Sequence, residues 1–187
     1  YREMETDLLW HAAAATPEVI RRLRNDCGGL LFLAIGDEIG EMFGLPWLQD
    51  IHSHKSLVEE NPVLGYLVTN DLQYDSRSAF TLSLNHRETY TGITDRDRSL
   101  TTRRFGELSG KLLEKDENGA RAKEMLGKEF RTPGHIPVCR ESPGGLKTRQ
   151  GHTELAVSIA RLAGLTACTI GAEMLEPEGD GALSVEG

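Results

Sequence analysis

The sequence lacks the features that mark membrane proteins, disulfide-rich secreted domains and nucleic-acid-binding proteins. Its longest apolar run, residues 30–35, is too short to cross a bilayer. The only cysteines, Cys27, Cys139 and Cys168, are far apart in sequence and form no CxxC pair, which indicates reduced thiols in a cytosolic protein. A formal net charge of −8 disfavours binding to nucleic acid and to anionic membranes. We therefore expect a cytoplasmic protein without a nucleic-acid or membrane partner.

The length and composition predict a single domain over residues 1–187. A chain of this size can bury enough surface to form a core without disulfides. The chain starts at Tyr1 instead of at an initiator methionine, so we expect a protein that lacks segments at both ends. It has no basic segment followed by an apolar one near the start, so we expect no signal peptide. Residues 52–76 are polar and weakly periodic, which predicts an insertion or mobile loop that could hold a short helix.

Apolar periodicity and turn residues predict intermixed helices and strands. Helices are expected at about 17–25, 97–114, 120–126 and 153–163, and strands at 30–35, 80–84, 89–93 and 169–174. Proline and glycine predict turns at 132–134 and 142–145. This order lacks a regular βαβ repeat. It therefore predicts an α/β (α+β) fold: a single three-layer domain with a mixed β-sheet flanked by helices.

An acidic cluster stands at the start of the chain. Glu3, Glu5 and Asp7 are spaced at every second residue, so an extended segment places all three carboxylates on one face. Like charges on one face repel each other and favour a bound cation, and Mg²⁺ prefers oxygen ligands. The alternative is a solvated acidic terminus without a ligand.

A second cluster precedes the predicted helix at 153–163. Arg149 comes before a turn, Gly151 allows a close approach of the backbone, and the Thr153 hydroxyl could cap the helix. The N–H groups at a helix N-terminus bind anions, so this segment could hold a phosphate group, and the neighbouring His152 could bind a metal or carry a proton. The alternative is an ordinary helix start with a surface histidine.

Three further groups could take part in chemistry. His135 follows a Pro-Gly turn, where a rigid loop could hold a catalytic group; the alternative is a histidine packed on the surface. Glu173 lies in the apolar strand predicted at 169–174, where a carboxylate is either paired or functional and could act as a general base. His52 and His54 have a spacing that suits metal binding, but their polar surroundings favour a solvated loop.

These clusters, in this order, resemble the 3,4-dihydroxy-2-butanone 4-phosphate synthase family of riboflavin biosynthesis. Residues 2–7 (Arg-Glu-Met-Glu-Thr-Asp) are similar to the acidic loop of the family, and the resemblance covers nearly the whole chain. Phe32 is a departure, because many members carry a cysteine there. Residues 52–76 exceed the compact bacterial pattern, which indicates an archaeal-type member. The other similar segments are 78–81, 91–94 and 97–102 (the central signature), 131–135 and 149–154 (the two histidine motifs), 163–165 and 173–174.

The resemblance implies a lyase that converts D-ribulose 5-phosphate to L-3,4-dihydroxy-2-butanone 4-phosphate and formate. It implies Mg²⁺, or Mn²⁺ in its place, and a homodimer with active sites at the subunit interface. Glu3 and His152 would be the metal ligands; His135 and Glu173 would be the catalytic pair, with Glu5 as a lesser member. The substrate-binding residues would be Arg2, Glu3, Asp7, Thr101, Arg149, Gln150, Gly151, His152, Thr153 and Glu173, with Arg149 and Thr153 on the phosphate.

Two other functions remain open at this stage. One is a different metal-dependent sugar-phosphate isomerase or aldolase, which would use the same enediolate chemistry. The other is a synthase-like scaffold without catalytic activity. Release of formate distinguishes the synthase from both.

Overall fold

The computed structural model describes residues 5–68, 71–72 and 75–184. Its centre is a sheet with the strand order β1-β5-β2-β4-β3. β2 and β4 are parallel, and the other neighbouring pairs are antiparallel, so the predicted mixed sheet is confirmed. The strands are β1 (Asp7–His11), β2 (Phe32–Ile35), β3 (Phe80–His86), β4 (Phe130–Arg140) and β5 (Cys168–Glu173).

Helices surround this sheet. The longest, α6, begins after Thr94, whose hydroxyl accepts a hydrogen bond from the Asp97 N–H at 3.1 Å. This cap explains why α6 starts before the predicted position. The helices are α1 (Pro17–Arg22), α2 (Asp37–Phe43), α3 (Leu48–His52), α4 (Lys55–Glu60), α5 (Val63–Leu67), α6 (Asp95–Glu114), α7 (Gly119–Glu129) and α8 (His152–Leu162). No helix in these ranges is long and apolar enough to span a membrane.

The alternation of side chains along β2 builds a hydrophobic core on each face of the sheet. Leu33 and Ile35 belong to a large cluster that includes Phe105 of α6. Phe32 and Ala34 point to the other face, where they join a smaller cluster with Val157 of α8. α8 is thereby held against the sheet face opposite α6, with its first residue, His152, beside the strand ends that form the site.

Several predicted elements differ from the structure. Residues 89–93 form turns instead of a strand, because the N–H groups of Thr91 and Gly92 donate to the Asp97 carboxylate instead of to a neighbouring strand. The turn predicted at 132–134 lies inside β4, and β1 was not predicted as a strand. Residues 52–76 were predicted as an insertion or mobile loop that could hold a short helix, and the structure forms two short helices there, α4 and α5.

Candidate active site

A cavity of about 430 Å³ opens where β1 begins, β5 ends and α8 starts. Its lining combines acidic, basic and aromatic side chains with one thiol, and it joins residues from the start of the described chain to residues of β5. The lining residues are Glu5, Asp7, Phe32, Leu72, Asp75, Ser78, Ala79, Phe80, Cys139, Arg149, His152, Thr153 and Glu173. The two clusters at residues 5–7 and 149–153 and the acid at 173 therefore meet in one place.

The pairing of β1 with β5 brings two carboxylates together. Asp7 lies directly opposite Glu173 in the antiparallel register, and directly opposite side chains share one face of a sheet. The Asp7 side chain is only 3% exposed, and its Oδ1 lies 3.6 Å from His152 Nδ1. His152 Nε2 lies 3.2 Å from the backbone oxygen of Glu5. Two acids, an imidazole and a carbonyl oxygen thus surround one corner of the cavity.

Glu173 is held in position by the loop before β2. Its Oε2 accepts a hydrogen bond from the Leu30 N–H at 2.8 Å, and its backbone oxygen accepts one from the Gly29 N–H at 3.0 Å. A Cβ atom at Gly29 would lie 2.6 Å from Glu173 Oε2, so only glycine permits this approach. The carboxylate is therefore oriented before any ligand arrives.

Arg149 is held by two carboxylates on different segments. Glu154 accepts from Nη1 at 2.5 Å, while Asp75 accepts from Nε at 3.0 Å and from Nη2 at 2.8 Å. Burial by itself would lower the pKa of Arg149, but the hydrogen bonds to Asp75 and the charge of Glu154 outweigh burial and raise the pKa. A permanently charged guanidinium therefore faces the cavity.

The start of α8 differs from the prediction that Thr153 caps it. Gly151 is the N-cap, and Glu154, fully buried, accepts hydrogen bonds from the N–H groups of Gly151 at 3.2 Å and Ser142 at 3.0 Å. Glu154 is the third helical residue, and its carboxylate satisfies the N–H of the N-cap residue, as in the acidic half of a capping box. Thr153 is consequently a helical residue that lines the cavity beside the N–H groups of the first turn.

The remaining predicted site residues lie elsewhere. His135 is exposed on β4 and does not line the cavity. Thr101 is fully buried in α6, where its hydroxyl accepts from the His86 N–H at 3.0 Å. Gln150 and Gly151 form the turn before α8 but do not line the cavity. The predictions for Arg2 and Glu3 lie outside the described residues.

His52 and His54 were interpreted as parts of a solvated loop, but His52 ends α3 and is partly buried, while His54 is exposed at the start of α4. His54 Nδ1 contacts the Ser56 hydroxyl at 2.9 Å, and His52 lines a separate groove with Leu48. Within residues 5–68, 71–72 and 75–184, no three His, Cys, Asp or Glu side chains are already arranged to hold a metal ion.

Several residues of the site were not assigned a role from sequence, among them Glu154, Asp75, Cys139 and Phe80. Glu154 had a detectable signal, since an acid at the third helical position often bonds to the N-cap N–H. No sequence signal identified Asp75, because it contacts Arg149 from a polar segment that is distant in sequence. Cys139 and Phe80 line the cavity from neighbouring strands. Burial and the nearby Glu173 raise the pKa of Cys139 to about 12, so its thiol stays protonated.

Comparison with known proteins decides the family. The family model for 3,4-dihydroxy-2-butanone 4-phosphate synthase matches residues 1–186. The chain belongs to this family.

Relatives of this family from methanogenic archaea match this chain over nearly its whole length. A protein of this name from Methanothermobacter thermautotrophicus is 40% identical over 185 residues, which cover 99% of this chain and 76% of that protein. One from Methanosarcina acetivorans is 42% identical over 99% of this chain and 72% of its own length. The riboflavin biosynthesis protein RibBA of Bacillus subtilis is 32% identical over 95% of this chain, which spans 36% of it. The predicted archaeal-type membership is thereby confirmed.

Solved structures of the synthase family have the same fold. The Candida albicans synthase is 28% identical, with a TM-score of 0.67 over 100% of this chain and 74% of that chain. The two-domain RibBX synthase from A. baumannii is 25% identical, with a TM-score of 0.69; this chain spans 43% of it. A synthase solved in complex with two magnesium ions is 24% identical, with a TM-score of 0.64 over 98% of this chain and 72% of that chain.

The donor atoms of the site fit the hard divalent ion expected for a synthase. Glu5, Asp7 and Glu173 supply carboxylates, and His152 supplies an imidazole, all around one cavity. Mg²⁺ and Mn²⁺ accept oxygen-rich donor sets of this kind, whereas the single thiol, kept protonated, suits neither ion. The magnesium prediction is therefore consistent with the chemistry of the lining.

Proposed function

We propose that this protein is a 3,4-dihydroxy-2-butanone 4-phosphate synthase. It converts D-ribulose 5-phosphate to L-3,4-dihydroxy-2-butanone 4-phosphate and formate in riboflavin biosynthesis. The observation that carries the proposal is the pairing of Asp7 with Glu173 beside His152 and Arg149. This one cavity therefore offers two carboxylates, an imidazole and the guanidinium of Arg149. The three cysteines are free thiols, which supports a cytoplasmic location.

Glu3 and His152 are the proposed metal ligands, with Asp7 at the start of β1 and Glu5 just before it. The divalent ion, when bound, polarises the substrate carbonyl and stabilises negative charge on the enediolate oxygens. The protein orients these ligand groups. His152 Nδ1 lies 3.6 Å from Asp7 Oδ1, so an imidazole nitrogen contacts a buried carboxylate. That arrangement favours a cation at this corner of the cavity.

Glu173 is the proposed general base. The reaction requires removal of a proton from a carbon next to a carbonyl, and a fixed carboxylate can accept it. The hydrogen bond from the Leu30 N–H, at 2.8 Å, fixes one oxygen of Glu173 and so orients the carboxylate towards the bound sugar. Glu5 lines the same cavity and has a supporting role in proton transfer.

The phosphate group is proposed to bind between Arg149 and the first turn of α8. Thr153 lines the cavity there, and the N–H groups and the dipole at a helix start favour an anion. Gln150 and Gly151 supply the turn that brings Arg149 beside this helix start, and an added Cβ at Gly151 would collide with Arg149 Nη1. Because Asp75 holds the Nε and Nη2 edge of Arg149, the phosphate has to displace a carboxylate.

The proposed enzyme acts as a homodimer of three-layer domains with shared sites. His135 lies four residues before Cys139 on the same strand, so its Cα is about 13 Å from the part of β4 that lines the cavity. Its exposed side chain therefore does not serve the cavity of its own chain. We propose that it reaches the site of a second copy, in the way that symmetric dimers exchange equivalent contacts. Thr101 is proposed to support this region through its bond to the His86 N–H.

The decisive experiment is a formate assay with ribulose 5-phosphate. The synthase releases formate and the four-carbon phosphate in equal amounts. A sugar-phosphate isomerase or aldolase consumes the substrate without formate, and a scaffold leaves it unchanged. Any result other than equimolar formate contradicts the proposed function.

Removal of the divalent ion is expected to abolish turnover. Treatment with EDTA should stop formate release, and addition of Mg²⁺ in excess of the chelator should restore it, because the ion supplies the positive charge that polarises the carbonyl. The measurement is formate release before chelation, after chelation and after each metal addition, with Ca²⁺ as the control ion. Turnover that is indifferent to EDTA would remove the metal from the proposal.

Asp75→Asn is expected to lower the KM for ribulose 5-phosphate by about fivefold, which corresponds to about 1 kcal/mol of relieved competition for Arg149. The amide leaves Arg149 paired with buried Glu154 but competes less with the phosphate. Asp71→Asn, in the same polar segment and lining a neighbouring groove, is the matched control and should leave KM unchanged. A raised KM in Asp75→Asn would show that Asp75 supports substrate binding instead of competing with it.

A further inference from the structure

Asn85 of β3 contacts His135 across an irregular part of the β3–β4 pair. Leu84 pairs with Ile136, but Asn85 pairs with Arg131, so four residues of β4 have no partner between these positions. The side chain of Asn85 spans this bulge. Its Oδ1 accepts a hydrogen bond from the His135 backbone N–H at 2.9 Å, and its Nδ2 lies 3.1 Å from His135 Nδ1.

The backbone bond settles which way the Asn85 amide points. A backbone N–H can only donate, so the atom 2.9 Å from it is the amide oxygen, and the NH₂ group is left to face the imidazole. NH₂ can only donate, so His135 Nδ1, at 3.1 Å, accepts and carries no proton. Oδ1 is farther from Nδ1, at 3.4 Å. In a neutral imidazole the proton then resides on Nε2, the ring nitrogen on the side away from Asn85.

The surroundings keep the amide in this position. Asn85 is 4% exposed, in contrast to the exposed His135. Gly92 packs directly against the amide, and a Cβ atom there would collide with Nδ2. On the neighbouring side, the Ser83 hydroxyl accepts from the Gly134 N–H at 3.1 Å, which fixes the residue before His135. The Oδ1 acceptor and the Nδ2 donor of Asn85 are therefore held in place against His135 by the folded chain.

We propose that Asn85 is a positioning residue that fixes His135 as the neutral tautomer with its proton on Nε2. His135 then presents a proton donor to a substrate oxygen without carrying a charge, and Asn85 itself does not touch the substrate. The inference rests on the proposed function only for the catalytic consequence. The tautomer is a property of the folded chain and is measurable without substrate.

The test is the tautomeric state of His135 by ¹⁵N–¹H correlation spectra of the imidazole rings at about pH 8, where an ordinary imidazole is neutral. The His135 signals are assigned by their loss in His135→Gln. The parent protein should show protonated Nε2. Asn85→Asp should show protonated Nδ1, because a carboxylate can only accept. The control is Asn118→Asp, the same substitution at the N-cap of α7, where the Asn118 side chain makes no capping hydrogen bond. It should leave the His135 signals unchanged.

Kinetics then test the consequence for the reaction. Asn85→Asp should lower kcat by about tenfold to a hundredfold with little change in KM, because the proton is on the wrong ring nitrogen. Asn85→Ala, which offers neither donor nor acceptor, should give a mixture of tautomers and an intermediate kcat. Dispersed amide spectra of each variant confirm the fold.

The two proposals fail in different ways. Protonated Nδ1 in the parent, or an unchanged tautomer in Asn85→Asp, overturns the inference whether or not the protein releases formate. A switched tautomer with unchanged kcat overturns the positioning role. If every preparation of the parent protein fails to release formate but shows protonated Nε2 at His135, the proposed function is contradicted. The tautomer assignment then still holds.

Discussion

Glu173→Gln is expected to reduce formate release from ribulose 5-phosphate by a factor of about 100 to 10,000, the usual loss when a general base is removed. The amide of glutamine is nearly isosteric with the carboxylate, and its oxygen can still accept the Leu30 N–H now bound by Oε2. The pairing of Asp7 with residue 173 uses backbone atoms and is unaffected. The fold should therefore persist while proton abstraction stops.

The measurement is kcat for formate release beside a thermal unfolding curve. Glu178→Gln, an exposed acid beyond the end of β5, is the matched control and should keep both parental activity and parental Tm. Near-normal turnover in Glu173→Gln would remove the proposed base. A large fall in Tm would instead show that the Glu173 carboxylate stabilises the fold through its close contact with Gly29.

Mixing two inactive variants is expected to restore activity if the sites are shared between copies. His135→Gln alone should remove nearly all turnover, and because His135 is exposed, the substitution should not disturb the fold. When His135→Gln and Glu173→Gln are co-expressed in equal amounts, about half of the dimers contain one of each. In those dimers, one of the two sites receives both wild-type residues, so about a quarter of parental activity should return.

The design of this experiment separates a shared site from a site within one chain. If His135 and Glu173 served the same chain's cavity, every chain in the mixture would lack one of them and no activity would return. As a control, the double variant co-expressed with Glu173→Gln should also remain inactive, because no wild-type Glu173 is present. Recovery of activity only after mixing therefore supports the proposed homodimer, and its absence contradicts it.

Much of the fold followed from local patterns in the sequence. The regions of α6, α8 and β3 were predicted from an apolar period, and β2 was predicted from a continuous apolar run between glycines. The regions of α7 and β5 were also predicted as a helix and a strand. β1 was missed because its short run of mostly apolar residues has no flanking turn signal, and it becomes a strand only by pairing with β5. β4 was not predicted as a strand, because Pro133-Gly134 carries a turn signal, yet Gly134 lies close against the Leu84 backbone inside β4.

The sequence by itself determined the chemical inventory of this protein: the acids at 5, 7 and 173, the Arg149–Glu154 motif and membership in the synthase family. Only the tertiary structure decided how these groups meet. Strand register places Asp7 opposite Glu173, and a buried ion-pair network ties Arg149 to both Asp75 and Glu154. It also placed His135 away from the cavity of its own chain. The physical reason is that periodicity reports which face of an element is buried, whereas the partner of each face is set by contacts between segments distant in sequence.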